Sequence, residues 1–352
     1  MKVLTRLQLE EGMVIAQDVL NFKNELIVPA NTTITPTVIS KLAMNSIMVV
    51  KVKDEIDFAK THYEKVRLMP EFKAFEENYQ KYFSAYKSIM LSCVEDGEPI
   101  QMALLISIYN NIMSAIKTGE ELLDYLNVMA PSEDELTHAH CLNSALIAGV
   151  FGSWLGLNEP EVTVLVQAGF VYDIGKLRLP YRILWKPDKL TEAEYDLVKQ
   201  HTYLGEDMLK RTNANKNIFL ATAQHHERID GSGYPNGLKG KEINRFAQYI
   251  SIIDVYEAMT SHRAYREPKN AFEIISYFEE EQKTKFDEKL IKPILSHLAY
   301  SQLGLAAKLK DDRIGIISGI NENDPSHPII TLEDRTTVDL SQFRWLSIKE
   351  IY

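Results

Sequence analysis

The stretch HHERIDGSGYP, residues 225–235, sets two adjacent histidines directly before a glycine-rich turn. Gly231 and Gly233 flank a serine, and Tyr234 and Pro235 close the stretch. A histidine pair alone also suits a polar helix end. Its meaning therefore depends on whether other ligand-type side chains stand at suitable positions elsewhere in the chain.

Four such side chains occur in other segments of the chain: His140, Asp173, His201 and Asp254. Together with the pair at 225 and 226, successive positions are separated by 24 to 33 residues, about one helix and its connection. We therefore expect each position on a different helix, and nitrogen and oxygen ligands that converge from neighbouring helices form a metal site. Imidazole and carboxylate suit Fe, Mn, Zn or Ni, whereas the lack of thiolate argues against a structural zinc finger.

These motifs resemble the HD-GYP family, a branch of the HD metal-dependent phosphohydrolases. The resemblance covers about residues 131–300 and also rests on KPDKLTEAEYDLVKQHTYLGEDML, residues 186–209, and IIDVYEAMTSHRAYR, residues 252–266. Family members split the bacterial second messenger cyclic di-GMP. The resemblance thus implies a cyclic di-GMP phosphodiesterase with an HD-type helical bundle.

The same resemblance implies two divalent metal ions, Fe or Mn. Asp173 would bridge both ions through its two carboxylate oxygens. One ion would be held by three histidines: His201, His225 and His226. The other would be held by His140 and Asp254. A water or hydroxide between the ions would attack the phosphodiester phosphorus, because the ions lower its pKa.

Residues for catalysis and substrate binding follow from the resemblance as well. Asp173 and Lys176 would be catalytic, with the Lys176 ammonium directed at a phosphate. The glycine turn would use positive φ angles and let backbone N–H groups approach an anion. The full set of expected substrate-binding residues is Lys176, Arg228, Gly231, Gly233, Tyr234, Arg263 and Arg266.

The chain departs from the family at its His-Asp doublet, which reads Tyr172-Asp173 here. Three outcomes stay open. Tyr172 would bind as a phenolate, an atypical ligand that favours ferric iron; or it turns aside and leaves that ion to the other ligands and water; or the second ion does not bind. We expect Tyr172 to weaken divalent-ion binding, because ionising a phenol of pKa 10 at pH 7 costs about 4 kcal/mol. The alternative to an enzyme is a catalytically weak cyclic di-GMP receptor with a degenerate metal site.

Composition bounds the class of protein. The chain has 352 residues, of which 45% are hydrophobic and 25% charged, typical of a soluble globular protein. The start, MKVLTRLQLEEG, is unlike a signal peptide, and no apolar run suggests a membrane span. Two scattered cysteines predict free thiols in a reducing cytoplasm. The net charge of −10 argues against DNA as a partner but permits a small phosphate ligand at a local basic cluster.

The predicted organisation is mostly α, with an α+β module at the start and a β-rich module at the end. Residues 1–65 alternate like strands around a hairpin, with one helix beginning at Thr35-Pro36. Residues 66–130 predict a helical connector of two amphipathic helices, the second running from Met102 to about Met129. Residues 131–300 would form the HD-GYP domain, with a helix starting at the S-x-x-E capping box of residues 132–135.

Residues 301–352 contain short β runs and predict a β-rich extension. The segment before residue 131 resembles an N-terminal domain that often precedes HD-GYP domains. It would supply a surface, residues 1–130, for a homodimer or a signalling partner.

Overall fold

The computed structural model describes residues 1–53, 61–184, 186, 188–261, 268–281 and 284–352. The chain divides into two compact units, Met1–Lys73 and Ala74–Tyr352. The finer boundaries at residues 65, 130 and 300 stay a prediction.

The first unit is a small α+β module. Its elements are β1 (Lys2–Thr5), β2 (Val19–Leu20), β3 (Leu26–Val28), α1 (Pro36–Met44), β4 (Val49–Val52) and α2 (His62–Leu68). β1 pairs with β4 and β2 with β3, both antiparallel, so the predicted hairpin is confirmed. α1 begins as the sequence predicts: the Thr35 side chain accepts the Val38 N–H, and Pro36 fills the first helical position, where no N–H is needed. Buried aliphatic side chains of β2, β3, α1, β4 and the loops between the elements form one core, and the half-buried Leu4 of β1 packs against it.

The segment that follows, residues 70–300, is mainly helical. Its helices are α3 (Pro70–Glu95), α4 (Met102–Met113), α5 (Gly119–Val128), α6 (Leu136–Trp154), α7 (Glu159–Val171), α8 (Tyr181–Leu184), α9 (Glu192–Lys199), α10 (His201–Leu209), α11 (Lys216–Gln224), α12 (Arg245–Thr260), α13 (Ala271–Ser276) and α14 (Glu288–Tyr300). α6 follows a short 3₁₀ turn over Glu133–Glu135, at the place where the capping box predicted a helix start.

One helix prediction is wrong in extent. The single helix expected from Met102 to about Met129 is two helices, α4 and α5. Thr118 has an extended backbone, and its side chain accepts the Glu121 N–H, so it caps a new helix. An N-cap of this kind competes with helix continuation, because its side chain satisfies a backbone donor only outside helical φ and ψ.

The centre of the second unit is α6, which is buried around almost its whole circumference. An apolar helix without a polar face is a core helix. α7 lies close against it: a Cβ added to Gly169 would lie 2.6 Å from Ala145 Cα. This contact sets the end of α7, and hence Tyr172 and Asp173, beside α6.

The chain ends in a five-stranded antiparallel sheet. Its strands are β5 (Ala306–Leu309), β6 (Ile314–Gly319), β7 (Ile329–Leu332), β8 (Thr337–Asp339) and β9 (Ile348–Ile351), in the order β8-β7-β6-β5-β9. The predicted runs correspond to β6, β7 and β8, whereas β5 and β9 were not predicted. The mostly helical class, with its small α+β part and its β-rich end, is thus confirmed. Among the helices described here, none combines the length and apolarity needed to cross a bilayer.

Candidate metal centre

The predicted ligands converge from five elements of the second unit. His140 lies on α6, Asp173 follows α7, His201 opens α10, and Asp254 lies on α12. The histidine pair stands at the end of α11. The ligand atoms form two groups in which all members lie within 4.8 Å of one another: Asp173, His201, His225 and His226, the three-histidine cluster; and His140, Asp173 and Asp254, the His140 cluster.

A close backbone approach sets Asp173 beside α10. Gly175 lies two residues after Asp173, and a Cβ at this position would lie 1.9 Å from the His201 carbonyl oxygen. Any larger residue would push the turn away from α10. Glycine here therefore allows the Asp173 carboxylate to reach His201.

Two histidines of the three-histidine cluster, His201 and His225, direct their lone pairs at one buried oxygen. His201 Nδ1 donates to the Val198 carbonyl at 2.6 Å, and His225 Nδ1 donates to the Thr222 carbonyl at 2.9 Å. Their Nε2 atoms lie 3.3 Å apart, and at 3.2 and 3.4 Å from Asp173 Oδ1.

Among the described residues, that oxygen is buried without a hydrogen-bond partner. Burial lowers the pKa of His201 despite the neighbouring Asp173, which keeps its ring neutral. A neutral ring with Nδ1–H has its lone pair on Nε2. Converging lone pairs repel unless a cation lies among them, so this donor set fits a divalent metal.

The His140 cluster is arranged differently. His140 Nε2 lies 3.0 Å from Asp254 Oδ1 and 3.5 Å from Asp173 Oδ2. Its Nδ1 hydrogen bonds to Glu257 Oε2. Burial alone would lower the pKa of His140, but the Glu257 and Asp254 carboxylates outweigh it and raise the pKa to about 9. The two oxygens of Asp173 thus face different clusters.

Tyr172, the departure from the family pattern, lies inside this group. Its hydroxyl is 2.5 Å from His140 Nε2, 3.3 Å from Asp254 Oδ1 and 3.1 Å from Ser144 Oγ. Burial, followed by the charges of Asp254 and Asp173, raises the pKa of Tyr172 well above its usual value. The fully buried ring points its hydroxyl at the ligand atoms, whereas which of the three outcomes holds towards a bound ion stays a prediction.

The ammonium of Lys176 lies beside the Asp173 carboxylate. Its Nζ lies 2.5 Å from Asp173 Oδ2. Burial would raise the pKa of Asp173, but neighbouring groups, above all the charge of the Lys176 ammonium, outweigh it and hold the pKa well below its usual value. The ammonium also lines a cleft of ≈ 360 Å³, within the size range of small-molecule sites. The polar lining consists mainly of His140, Asp173, Lys176, Asp254, Glu257 and Ser261.

The glycine turn is built differently from the prediction. Gly231 has a φ of +83°, but Gly233 does not have a positive φ. A larger residue than glycine does not fit at position 233, because a Cβ added there would lie 2.4 Å from the His226 carbonyl oxygen. Two backbone N–H groups of the turn make hydrogen bonds within it: Gly231 N–H donates to Arg228 O, and Tyr234 N–H donates to His226 O. These two N–H groups are therefore engaged inside the turn, and the expected approach of its backbone N–H groups to an anion stays a prediction.

The remaining predicted binding residues fall in different places. The Tyr234 ring stacks on His226, with ring centres 4.6 Å apart. Arg228 donates to the carbonyls of His225 and Glu227 and to Ser251 Oγ, so it holds the start of the turn. Its role in substrate binding stays a prediction. The two C-terminal arginines of the predicted set, Arg263 and Arg266, lie outside the described residues.

Residues 126–290 match the family model described as HD domain. A cyclic di-GMP phosphodiesterase of Thermotoga maritima is 39% identical over 153 residues, which are 42% of this chain and 41% of that protein. The cyclic di-GMP phosphodiesterase PA4108 of Pseudomonas aeruginosa is 31% identical over 238 residues, 66% of this chain and 57% of that protein. The chain thus spans about half the length of these curated relatives. A solved HDG"Y"P protein from Bdellovibrio bacteriovorus aligns with a TM-score of 0.49 at 13% identity, covering 84% of this chain and 99% of that chain.

Two buried glutamates of the segment that matches the HD domain model were missed from the sequence. Glu257 lies one helical turn after Asp254, a spacing that could have pointed to it. Glu227 follows the histidine pair, and its carboxylate accepts the N–H groups of Asn236 at 2.7 Å and Leu238 at 2.9 Å. It therefore ties the far side of the glycine turn back to its beginning.

Proposed function

We propose that this chain hydrolyses cyclic di-GMP at the cleft beside the two clusters, in a metal-dependent phosphodiester cleavage. The observation that carries the proposal is that two potential metal-ligand groups share Asp173 next to a cleft lined by the partly buried ammonium of Lys176. Two relatives at 31% and 39% identity are named cyclic di-GMP phosphodiesterases, which supports this choice of substrate.

In this proposal, the three-histidine cluster and the His140 cluster each hold one ion, iron or manganese. Bound ions would activate water as the nucleophile and neutralise charge that develops on the phosphoryl oxygens. Asp173 orients both groups, because each of its oxygens faces one of them. Lys176 would exchange part of its contact with Asp173 for a phosphate oxygen of the substrate, a charge-assisted hydrogen bond.

The other proposed substrate contacts come from the glycine turn. The Tyr234 phenol lies over His226 and could donate to the ligand. Arg228, Gly231 and Gly233 would act by holding the turn in place. A cytoplasmic location and a partner surface within residues 1–130 stay predictions.

One observation favours a second candidate, a receptor that binds cyclic di-GMP with little hydrolysis. The Tyr172 hydroxyl lies 2.5 Å from the nitrogen of His140 that faces the carboxylates. A hydrogen bond there competes with a metal ion for the same lone pair. A receptor would then retain the cleft and Lys176 but lack the second ion.

The test is incubation of the anaerobically purified chain with cyclic di-GMP and Fe²⁺ or Mn²⁺, with chromatography of the products. We expect a linear dinucleotide or GMP from the wild type, and none from Asp173→Asn, which keeps the side chain's shape but removes its charge. Binding measured by calorimetry without turnover would identify the receptor. The absence of both turnover and binding would overturn both candidates.

A further inference from the structure

The hydroxyl of Tyr172 lies where a metal ion would need a free lone pair. Its oxygen is 2.5 Å from His140 Nε2, and the side chain is completely buried. Two lone pairs repel at this separation, so a hydrogen lies between the two atoms, whichever of them carries it. Ser144 Oγ, at 3.1 Å, hydrogen bonds to the same hydroxyl. The phenol is thus held by two neighbours.

His140 has no second nitrogen to offer. Its Nδ1 hydrogen bonds to Glu257, whose Oε1 also accepts the Asn143 amide at 2.9 Å and the Ser261 hydroxyl. These bonds fix the orientation of the imidazole ring. A metal would therefore have to bind at Nε2 and displace the hydrogen there, and Nε2 is the atom that Tyr172 engages.

The three-histidine cluster shows the contrast. There the Nδ1 atoms of His201 and His225 donate to backbone carbonyls, and both Nε2 atoms face Asp173 Oδ1. That oxygen has no hydrogen-bond partner in the described part of the chain. A cation would neutralise the repulsion between this oxygen and the two Nε2 atoms. In the His140 cluster, by contrast, a hydrogen already lies between the Tyr172 oxygen and His140 Nε2.

We propose that the Tyr172 hydroxyl makes the two ligand groups unequal by competing with the ion for His140 Nε2. The three-histidine cluster then fills first, and the His140 cluster fills only at higher metal concentration. This inference rests on the metal centre of the proposed function. It concerns metal binding and holds whether or not the substrate is cyclic di-GMP.

The alternative role for Tyr172 is that of a phenolate ligand, and the geometry bears on it as well. Neighbouring ligand atoms around an ion with bonds of about 2.1 Å lie about 3 Å apart in octahedral coordination. The hydroxyl lies 3.3 Å from Asp254 Oδ1, close to this spacing, but only 2.5 Å from His140 Nε2, so a phenolate ligand would require these two atoms to move apart. A ligand and a competitor respond in opposite directions when the oxygen is removed.

Tyr172→Phe tests this directly, because it removes one oxygen and keeps the ring that fills the core. Metal per chain is measured by mass spectrometry after equilibration with graded Mn²⁺ under anaerobic conditions. We expect two binding phases for the wild type and a second phase shifted to about two- to tenfold lower Mn²⁺ in the variant, the range of one net hydrogen bond. Tyr172→His should shift it at least as far, since it adds an imidazole.

Combining Tyr172→Phe with a variant that lacks the three-histidine cluster shows which cluster the substitution affects. In His225→Ala with His226→Ala, the first phase should disappear while the effect of Tyr172→Phe on the remaining phase persists. Less metal in Tyr172→Phe than in the wild type would mean that the phenol is a ligand and would overturn the proposal. An unshifted second phase would overturn it as well.

Electron paramagnetic resonance of Mn²⁺ in the wild type gives a measurement that does not depend on the folding of a variant. The spectrum should show isolated ions at low loading and spin-coupled pairs only in the second phase. Coupled pairs from the first additions would contradict unequal sites. If these metal results hold while cyclic di-GMP stays intact, the proposed function fails and the unequal sites remain.

Discussion

Replacing the buried Glu227 should loosen the glycine turn. Its two carboxylate oxygens accept the Asn236 and Leu238 N–H groups, and the residue is buried. Glu227→Gln keeps the size but offers one acceptor oxygen where two are used. One N–H then keeps a neutral acceptor, and the other faces the NH₂ group and is left unsatisfied.

The magnitude follows from these two bonds. Losing the charge on one acceptor costs about 1 kcal/mol, and leaving the donor of one of these half-buried bonds without a partner costs about 1–3 kcal/mol. The turn should therefore lose about 2–4 kcal/mol of local stability. At about 1.4 kcal/mol per tenfold, this corresponds to roughly 30- to 1,000-fold faster exchange of the affected amides, provided that they exchange by local opening.

The assay is residue-resolved hydrogen–deuterium exchange of the Asn236 and Leu238 amides. Glu242→Gln is the matched control, because Glu242 Oε2 accepts the Lys239 N–H at 2.9 Å on an exposed part of the same loop. Water can replace that bond, so we expect a change of less than about threefold. Equal exchange in Glu227→Gln and in the wild type would refute the reasoning, as would an equal effect of both variants.

Three other changes test the centre itself. Converting His225 and His226 together to alanine should remove the ion of the three-histidine cluster, and unchanged metal content in elemental analysis would refute that assignment. Lys176→Ala should weaken cyclic di-GMP binding about tenfold or more, since a charge-assisted contact contributes about 1.5–3 kcal/mol; calorimetry showing equal affinity would argue against the phosphate contact. Glu257→Gln should weaken the second Mn²⁺ phase about 10- to 100-fold, because the carboxylate orients His140, and an unaltered titration would show that it does not.

Much of the fold follows from local signals in the sequence. Thr35-Pro36 predicts the start of α1 because a side-chain acceptor and a ring without N–H satisfy the first helical turn. Likewise, histidines and aspartates spaced by about one helix predicted a shared centre. The residues that the structure brings together at 140, 173, 201, 225, 226 and 254 are those expected from that spacing and the motif.

The use of each atom was decided only by tertiary structure. Glu257 lies 117 residues from His140, and a glutamate one turn after Asp254 looks in the sequence like any polar helical position. Which oxygen of Asp173 faces which cluster depends on the approach of its turn to α10, permitted by Gly175. The placement of the Tyr172 hydroxyl on His140 depends in the same way on how α7 packs against α6. Hydrogen bonds and metal ligation act over a few ångströms, whereas sequence patterns specify only the face and the period of each element.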